Sequence, residues 1–250
     1  MIGCVVPISG GKDSQACLKL ALIRFGRTEV RGLFCDTQFE HPLTYTHVDA
    51  IRDLYGVRID VVSDGDVGTR CLRYGRFPSG TARFCTDDLK IKPTKRYLEN
   101  LAAKQGKGFE VWYGMRSAES NDRAKRYEGK TSSDLYPLHE ILPKKYPKHL
   151  ATMGVMCRLP ILDWQTWQVM QLLDGEQNPL YAKGFDRVGC FPCLASGDAP
   201  KERAFGFDET GKQHYELVRS IENRTGKSIW TSKGGAARNN PDQMCAICQS

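Results

Sequence analysis

Residues Val5-Val6-Pro7-Ile8-Ser9-Gly10-Gly11-Lys12-Asp13-Ser14 pass from an apolar segment through a glycine pair into a helical pattern. Cys17, Leu20, Ala21 and Ile23 then recur at helical spacing until Gly26 stops the run. The stretch reads as strand, tight turn, helix, and the same alternation continues outward. Strands are predicted over 30–35, 57–62 and 109–113, and helices over 42–55 and about 93–104. Pro42 suits a first helical position. Strands alternating with helices of this length predict an α/β fold with a doubly wound parallel sheet. Ligands of such sheets bind beyond the carboxyl ends of the strands.

The turn itself has chemistry. Glycines let backbone N–H groups approach phosphate oxygens, and the new helix adds free donors and the positive end of its dipole. The hydroxyls of Ser9 and Ser14 and the Lys12 ammonium would complete an anion cradle. It is not a Walker A loop, because no Gly-Lys-Ser/Thr follows a first glycine at the required spacing.

The chain has 250 residues, 36 Lys and Arg against 29 Asp and Glu, and a net charge of +7. That is ordinary globular material, long enough to bury a core. No apolar run reaches the roughly 20 residues of a membrane-spanning helix, and the first residues lack the basic start of a signal peptide. A cytoplasmic protein without membrane contact is expected. The organisation predicted is a nucleotide-binding core over 1–120, a mixed extension over 121–185 and a Cys-rich segment over 186–250. Residues 63–86 read as an irregular, functional stretch, and 121–159 as polar and poor in core. Asp163 reads as the N-cap of a helix that buries Trp164 and Trp167, and a last helix is expected near 213–224.

The hexapeptide Ser-Gly-Gly-Lys-Asp-Ser after an N-terminal strand resembles the pyrophosphate loop of the N-type ATP pyrophosphatases. Three further segments resemble the phosphoadenosine phosphosulfate reductase family within that superfamily. They are Phe34-Cys35-Asp36-Thr37-Gln38-Phe39-Glu40-His41-Pro42, Arg83-Phe84-Cys85-Thr86 with Leu89-Lys90 and Pro93, and Gly114-Met115-Arg116-Ser117-Ala118-Glu119-Ser120 with Arg123-Ala124. Arg187-Val188-Gly189-Cys190-Phe191-Pro192-Cys193 matches a downstream cysteine pair of several members. The resemblance covers about three quarters of the chain. It departs from the sulfonucleotide reductases in having the full loop and in lacking a Glu-Cys-Gly tripeptide.

The resemblance implies an ATP-binding enzyme that adenylates a substrate and releases pyrophosphate, coupled to sulfur transfer. Ser9, Gly10, Gly11, Lys12, Asp13, Ser14, Asp36, Gly114, Arg116, Glu119 and Arg123 would bind the nucleotide, with Asp13 and Asp36 facing Mg²⁺ or ribose. Lys12, Asp36, Cys85 and Arg116 would be the catalytic set, and Glu119 would orient the two arginines. A sulfonucleotide reductase, and a nucleotide-sensing zinc module that binds nucleic acid, are the competing readings.

Ten cysteines are many for a reducing compartment. Cys190-x-x-Cys193 and Cys245-x-x-Cys248 have the spacing of a four-thiolate site, holding Zn²⁺ or a 4Fe–4S cluster and clipping to the domain a tail expected to have little core of its own. In related families an upstream cysteine, here Cys85, joins the downstream pair at a cluster. Cys4, Cys17 and Cys157 read as core. Residues 70–96 hold eight basic residues against Asp87 and Asp88, which is most of the net charge. With Tyr74, Phe77 and Phe84 interleaved, this segment reads either as a solvated basic face or as a surface for a phosphate-rich partner such as tRNA or DNA. A sulfur donor protein is the other expected partner. No His-based triad or HExxH pattern supports a hydrolase.

Overall fold

The computed structural model describes residues 1–230. Cys245 and Cys248 lie outside them. The chain alternates as its first hundred residues predict: β1 (Cys4–Ile8), α1 (Lys12–Phe25), β2 (Val30–Asp36), α2 (Pro42–Tyr55) and β3 (Ile59–Ser63). Then come α3 (Val67–Tyr74), a turn of helix α4 (Phe84–Thr86), a π-helical turn (Asp87–Ile91), α5 (Lys92–Gln105) and β4 (Glu110–Trp112). A 3-10 turn (Ser117–Glu119) leads to α6 (Asn121–Arg126), β5 (Tyr136–Pro137), α7 (Leu138–Ile141), α8 (His149–Thr152) and β6 (Met156–Arg158). α9 (Thr166–Leu173), α10 (Asp198–Phe205) and α11 (Glu209–Thr225) follow.

The six strands form one sheet in the order β3-β2-β1-β4-β6-β5, parallel except for β5 at the edge. Side chains alternate across it. Cys4, Val6 and Ile8 enter one buried layer with α1 and α2, while Val5 enters the other with α5. Both faces are covered, as parallel strands with near-continuous apolar sequence require. β1 has β2 on one side and β4 on the other, so the turns after β1 and β4 open the crevice where strand order reverses. They are in close contact: a Cβ on Gly114 would stand 2.6 Å from the carbonyl oxygen of Asp13. Only glycine allows that approach.

Four expectations are corrected. Residues 63–86 contain α3, whose N-cap Asp66 accepts the Thr69 N–H at 2.7 Å and whose last turn ends at Gly75 in the left-handed region. Residues 121–159 carry core after all, with Leu138, Ile141, Leu150 and Leu159 fully buried. The helix expected at Asp163 begins at Thr166, where Gln165 and Gln168 cap each other, and Trp167 is 64% exposed. The chain after Cys193 does not lack a core of its own, since Phe205, Val218, Ile221 and Ile229 are buried beside Phe39 and Cys71. His41 braces this segment from α2: one ring nitrogen accepts the Leu43 N–H and the other meets Asp208, the N-cap of α11, at 2.7 Å.

Candidate functional site

The glycine loop is built by its own hydroxyls. Ser14 Oγ donates to Gly11 O at 2.9 Å and accepts the Ser9 N–H at 3.2 Å, while Ser9 Oγ accepts the Gly11 N–H at 3.4 Å. Gly10 turns with φ +75°, a region closed to most side chains, and Gly11 is the N-cap of α1. Behind the loop, Gln15 locks α1 in place. Its Oε1 meets His47 Nε2 at 2.9 Å and its Nε2 donates to Tyr55 Oη and to the Glu176 carbonyl.

The structure brings the predicted cations to this loop. Lys12 is buried, and burial together with the Arg116 and Arg187 guanidiniums lowers its ammonium below the usual lysine range, against the opposing pull of Asp13. Arg116 is buried as well; its Nε donates to Asp13 Oδ1 at 2.7 Å, and its Nη1 to the Trp164 carbonyl and Thr166 Oγ1. Glu119 holds the neighbouring pieces, accepting the Arg116 backbone N–H at 3.3 Å and pairing with the Arg123 guanidinium. Burial, reinforced by Arg187, also lowers Arg123. Lys12 on the turn after β1 therefore feels Arg116 and Arg187, and Arg123 feels Arg187, while Asp13 and Glu119 hold Arg116 and Arg123.

Asp36 lies at the carboxyl end of β2, where its Oδ1 accepts from Gln38 N at 2.8 Å and Tyr45 Oη at 2.7 Å. Next to it Glu40, buried, accepts from the Thr37 and Phe39 N–H groups and the Thr37 hydroxyl. Cys190 pairs with Glu40 in a short antiparallel bridge and its thiol contacts Thr37 Oγ1 at 3.4 Å. Burial and the neighbouring Cys190 and Cys193 push the Cys85 thiol up to about 11. Lys90 is raised by Cys190, Glu40, Cys35 and Cys85 around it. Cys85, Cys190 and Cys193 thus share one region with Lys90. Among the described residues, however, no three His, Cys, Asp or Glu side chains converge on a point that could hold a metal ion. The described residues alone do not make the predicted zinc or iron–sulfur site. Cys4, Cys17 and Cys157 are core, as expected.

Among the described residues, four of the eight basic residues in the window are ion-paired. Asp88 takes Lys92 at 2.5 Å and stands 3.9 Å from Arg70, Glu99 takes Lys95, and Asp64 takes Arg96. Among the described residues Arg73, Arg76 and Arg83 form no ion pair and are exposed, beside a Tyr74 ring stacked on Phe84. The loop also has partners that the sequence did not announce: Asn178, Tyr181 and Asp186 touch it, and Arg187 influences it. Arg187 stands beside the cysteine motif, a positional signal; Asn178 and Tyr181 carry none.

The family model of the phosphoadenosine phosphosulfate reductase domain matches residues 3–196. The chain belongs to the phosphoadenosine phosphosulfate reductase family. Among curated relatives, an uncharacterized protein of Methanocaldococcus jannaschii is 29% identical over 194 residues, 76% of this chain and 36% of that one. The phosphoadenosine 5'-phosphosulfate reductase of Yersinia enterocolitica is 26% identical over 191 residues, 73% of this chain and 67% of the enzyme. The chain spans only 36%, 66% and 41% of the length of three relatives from M. jannaschii and Escherichia phage 186. The phosphoadenylyl-sulfate reductase of Candida auris, solved with phosphate, shares the fold with a TM-score of 0.50 at 14% identity, over 76% of this chain and 82% of that one. This member of the reductase family has no helix among its described residues long and apolar enough to cross a membrane.

Proposed function

We propose that the chain binds ATP, taken up as its magnesium salt, at Ser9–Ser14 and uses it to adenylate an acceptor. An acceptor oxygen attacks the α-phosphorus, the bond from that phosphorus to the bridging oxygen breaks, and pyrophosphate leaves with the electron pair. A sulfur nucleophile from a donor protein would then displace AMP. The observation that carries this reading is the pair of buried cations Lys12 and Arg116, both at Asp13 on the loop. Two cations fixed in place before substrate arrives stabilise charge developing on phosphate oxygens without reorganising. Arg123, held by Glu119, supports the same role, and Asp36 is assigned to the ribose side of the crevice.

Three exposed arginines around Tyr74 support a phosphate-rich acceptor, tRNA or DNA, approaching from the side of Cys85. A metal clip of Cys190 and Cys193 with Cys245 and Cys248 belongs to this reading as an expectation of composition only, and no step runs through it. The division into segments 1–120, 121–185 and 186–250 is proposed on the same footing.

Pyrophosphate release is the test. Ser9→Ala/Lys12→Ala is expected to abolish release from ATP in the presence of acceptor; release at the original rate would reject the reading. A second reading, sulfonucleotide reduction, is favoured by the named reductase relatives, which are matched over 73% of this chain.

A further inference from the structure

Residues 176–188 cross over the glycine loop and are fastened to it at several points. Asn178 is wholly buried: its Nδ2 donates to Gly10 O at 3.2 Å and Thr44 Oγ1 at 3.4 Å, and its Oδ1 accepts the Leu180 N–H. The Glu176 carboxylate takes the Tyr55 hydroxyl at 2.7 Å and the Lys19 ammonium at 2.9 Å. The Asp186 carbonyl accepts from Lys12 Nζ at 3.4 Å. Between these anchors Tyr181 Oη accepts the backbone N–H of Lys12 at 3.0 Å, and the Lys12 ammonium lies 4.8 Å from the centre of its ring. A Cβ on Gly11 would meet the Val188 carbonyl at 3.2 Å and Tyr181 Oη at 3.3 Å.

We propose that Tyr181 is the affinity- and selectivity-setting residue of the loop, its hydroxyl occupying the Lys12 N–H that a phosphate oxygen must take. The inference rests on reading the loop as a phosphate seat. A neutral phenol is a weak occupant there. A phenol is neutral at neutral pH, and burial pushes the Tyr181 hydroxyl further up, to about 12, so it offers the Lys12 N–H no charged acceptor; the ammonium meets only the ring. A phosphate oxygen bonds the same N–H with a charge-assisted bond roughly twice as strong. A pyrophosphate group can also satisfy Lys12 Nζ in place of the Asp186 carbonyl. Ligands with one weakly held anionic group gain less and leave Tyr181 in place. The loop therefore favours di- and triphosphates over single anions, and binding lifts the overlying segment.

Calorimetric titration of the full chain with pyrophosphate and with inorganic phosphate tests this, using wild type, Tyr181→Phe and Lys12→Ala. Phenylalanine keeps the ring beside Lys12 and removes only the hydroxyl. Tyr181→Phe is expected to bind pyrophosphate about 3- to 10-fold more tightly and to discriminate less against inorganic phosphate. In wild type, pyrophosphate should speed hydrogen exchange across 176–188. A tyrosine that merely supported the fold would lower Tm and leave affinity equal or weaker, and that result overturns the inference. If Lys12→Ala abolishes binding while Tyr181→Phe binds as wild type does, the phosphate seat stands and only the role of Tyr181 falls. If neither wild type nor Tyr181→Phe binds pyrophosphate, both fall. Should the phenylalanine variant not fold, the hydrogen-exchange measurement on wild type decides alone: pyrophosphate that binds without speeding exchange across 176–188 overturns the inference.

Discussion

Arg116 Nε donates to Asp13 Oδ1 at 2.7 Å, joining the turn after β4 to the first turn of α1 across the crevice between them. The guanidinium is only 4% exposed and has two weaker acceptors besides, so Asp13 is its one charged partner in contact among the described residues. Asp13→Ala would leave a buried cation unpaired, which costs about 3–5 kcal/mol. Chemical denaturation should show that loss, and Asp13→Asn, which keeps an acceptor, should recover part of it. A fully stable alanine variant would mean that Arg116 finds water instead.

Gly10 is constrained twice. Its φ of +75° is unfavourable for alanine, and a Cβ would stand 2.4 Å from Thr44 Cγ2. Gly10→Ala should destabilise the fold by about 2 kcal/mol or more. Adding Thr44→Ser removes the clashing methyl and leaves the dihedral cost, so the double variant should recover only part of the loss. Complete recovery would show that φ at this position is immaterial.

His47 makes the loop support sensitive to pH. Burial lowers it from 6.5 to about 4, so it stays neutral in the folded chain and meets Gln15 Oε1 through Nε2. The unfolded chain takes up a proton near pH 6.5 and the folded chain only near 4. Its contribution is therefore complete above 6.5 and disappears as pH falls through 4. On the order of 3 kcal/mol is at stake. Stability measured from pH 7 to 4 should fall less in His47→Gln than in wild type; parallel curves would contradict the assignment.

The cysteine reading is tested by composition. Full-length chain purified without oxygen is expected to carry bound zinc or iron, and Cys190→Ser and Cys245→Ser/Cys248→Ser should each remove it. Metal lost from the first variant and retained by the second would separate the two pairs.

Much of the core was legible because local signals agree with the fold. Pro42 opens α2 and Gly26 closes α1 as read, and the strand runs of β1 and β2 are long and apolar. α3 was missed because Gly65, Gly68 and Gly75 resemble loop residues. In the structure Gly75 ends the helix in the left-handed region, while Asp66 starts it. Leu138, Ile141 and Leu150 were passed over since they sit on short pieces without periodicity, buried only by packing from elsewhere. At the site, Lys12 could be read from the glycine turn, and Arg116 and Glu119 from the resemblance of their motif to the family's. Tyr181 and Asn178 could not, because they meet the loop 169 and 168 residues away in sequence. Trp167 shows the converse: its helical spacing suggests burial, but it lies on the exposed side of α9.

The choice between adenylation and sulfonucleotide reduction turns on which nucleotide the crevice prefers. Dissociation constants for magnesium ATP and for phosphoadenosine phosphosulfate, measured side by side on wild type and Lys12→Ala, decide it most directly. The account predicts that wild type binds ATP at least tenfold more tightly than the sulfonucleotide, and that Lys12→Ala loses most of that preference, as removal of a buried phosphate contact should. Tight sulfonucleotide binding with no measurable ATP binding would contradict it.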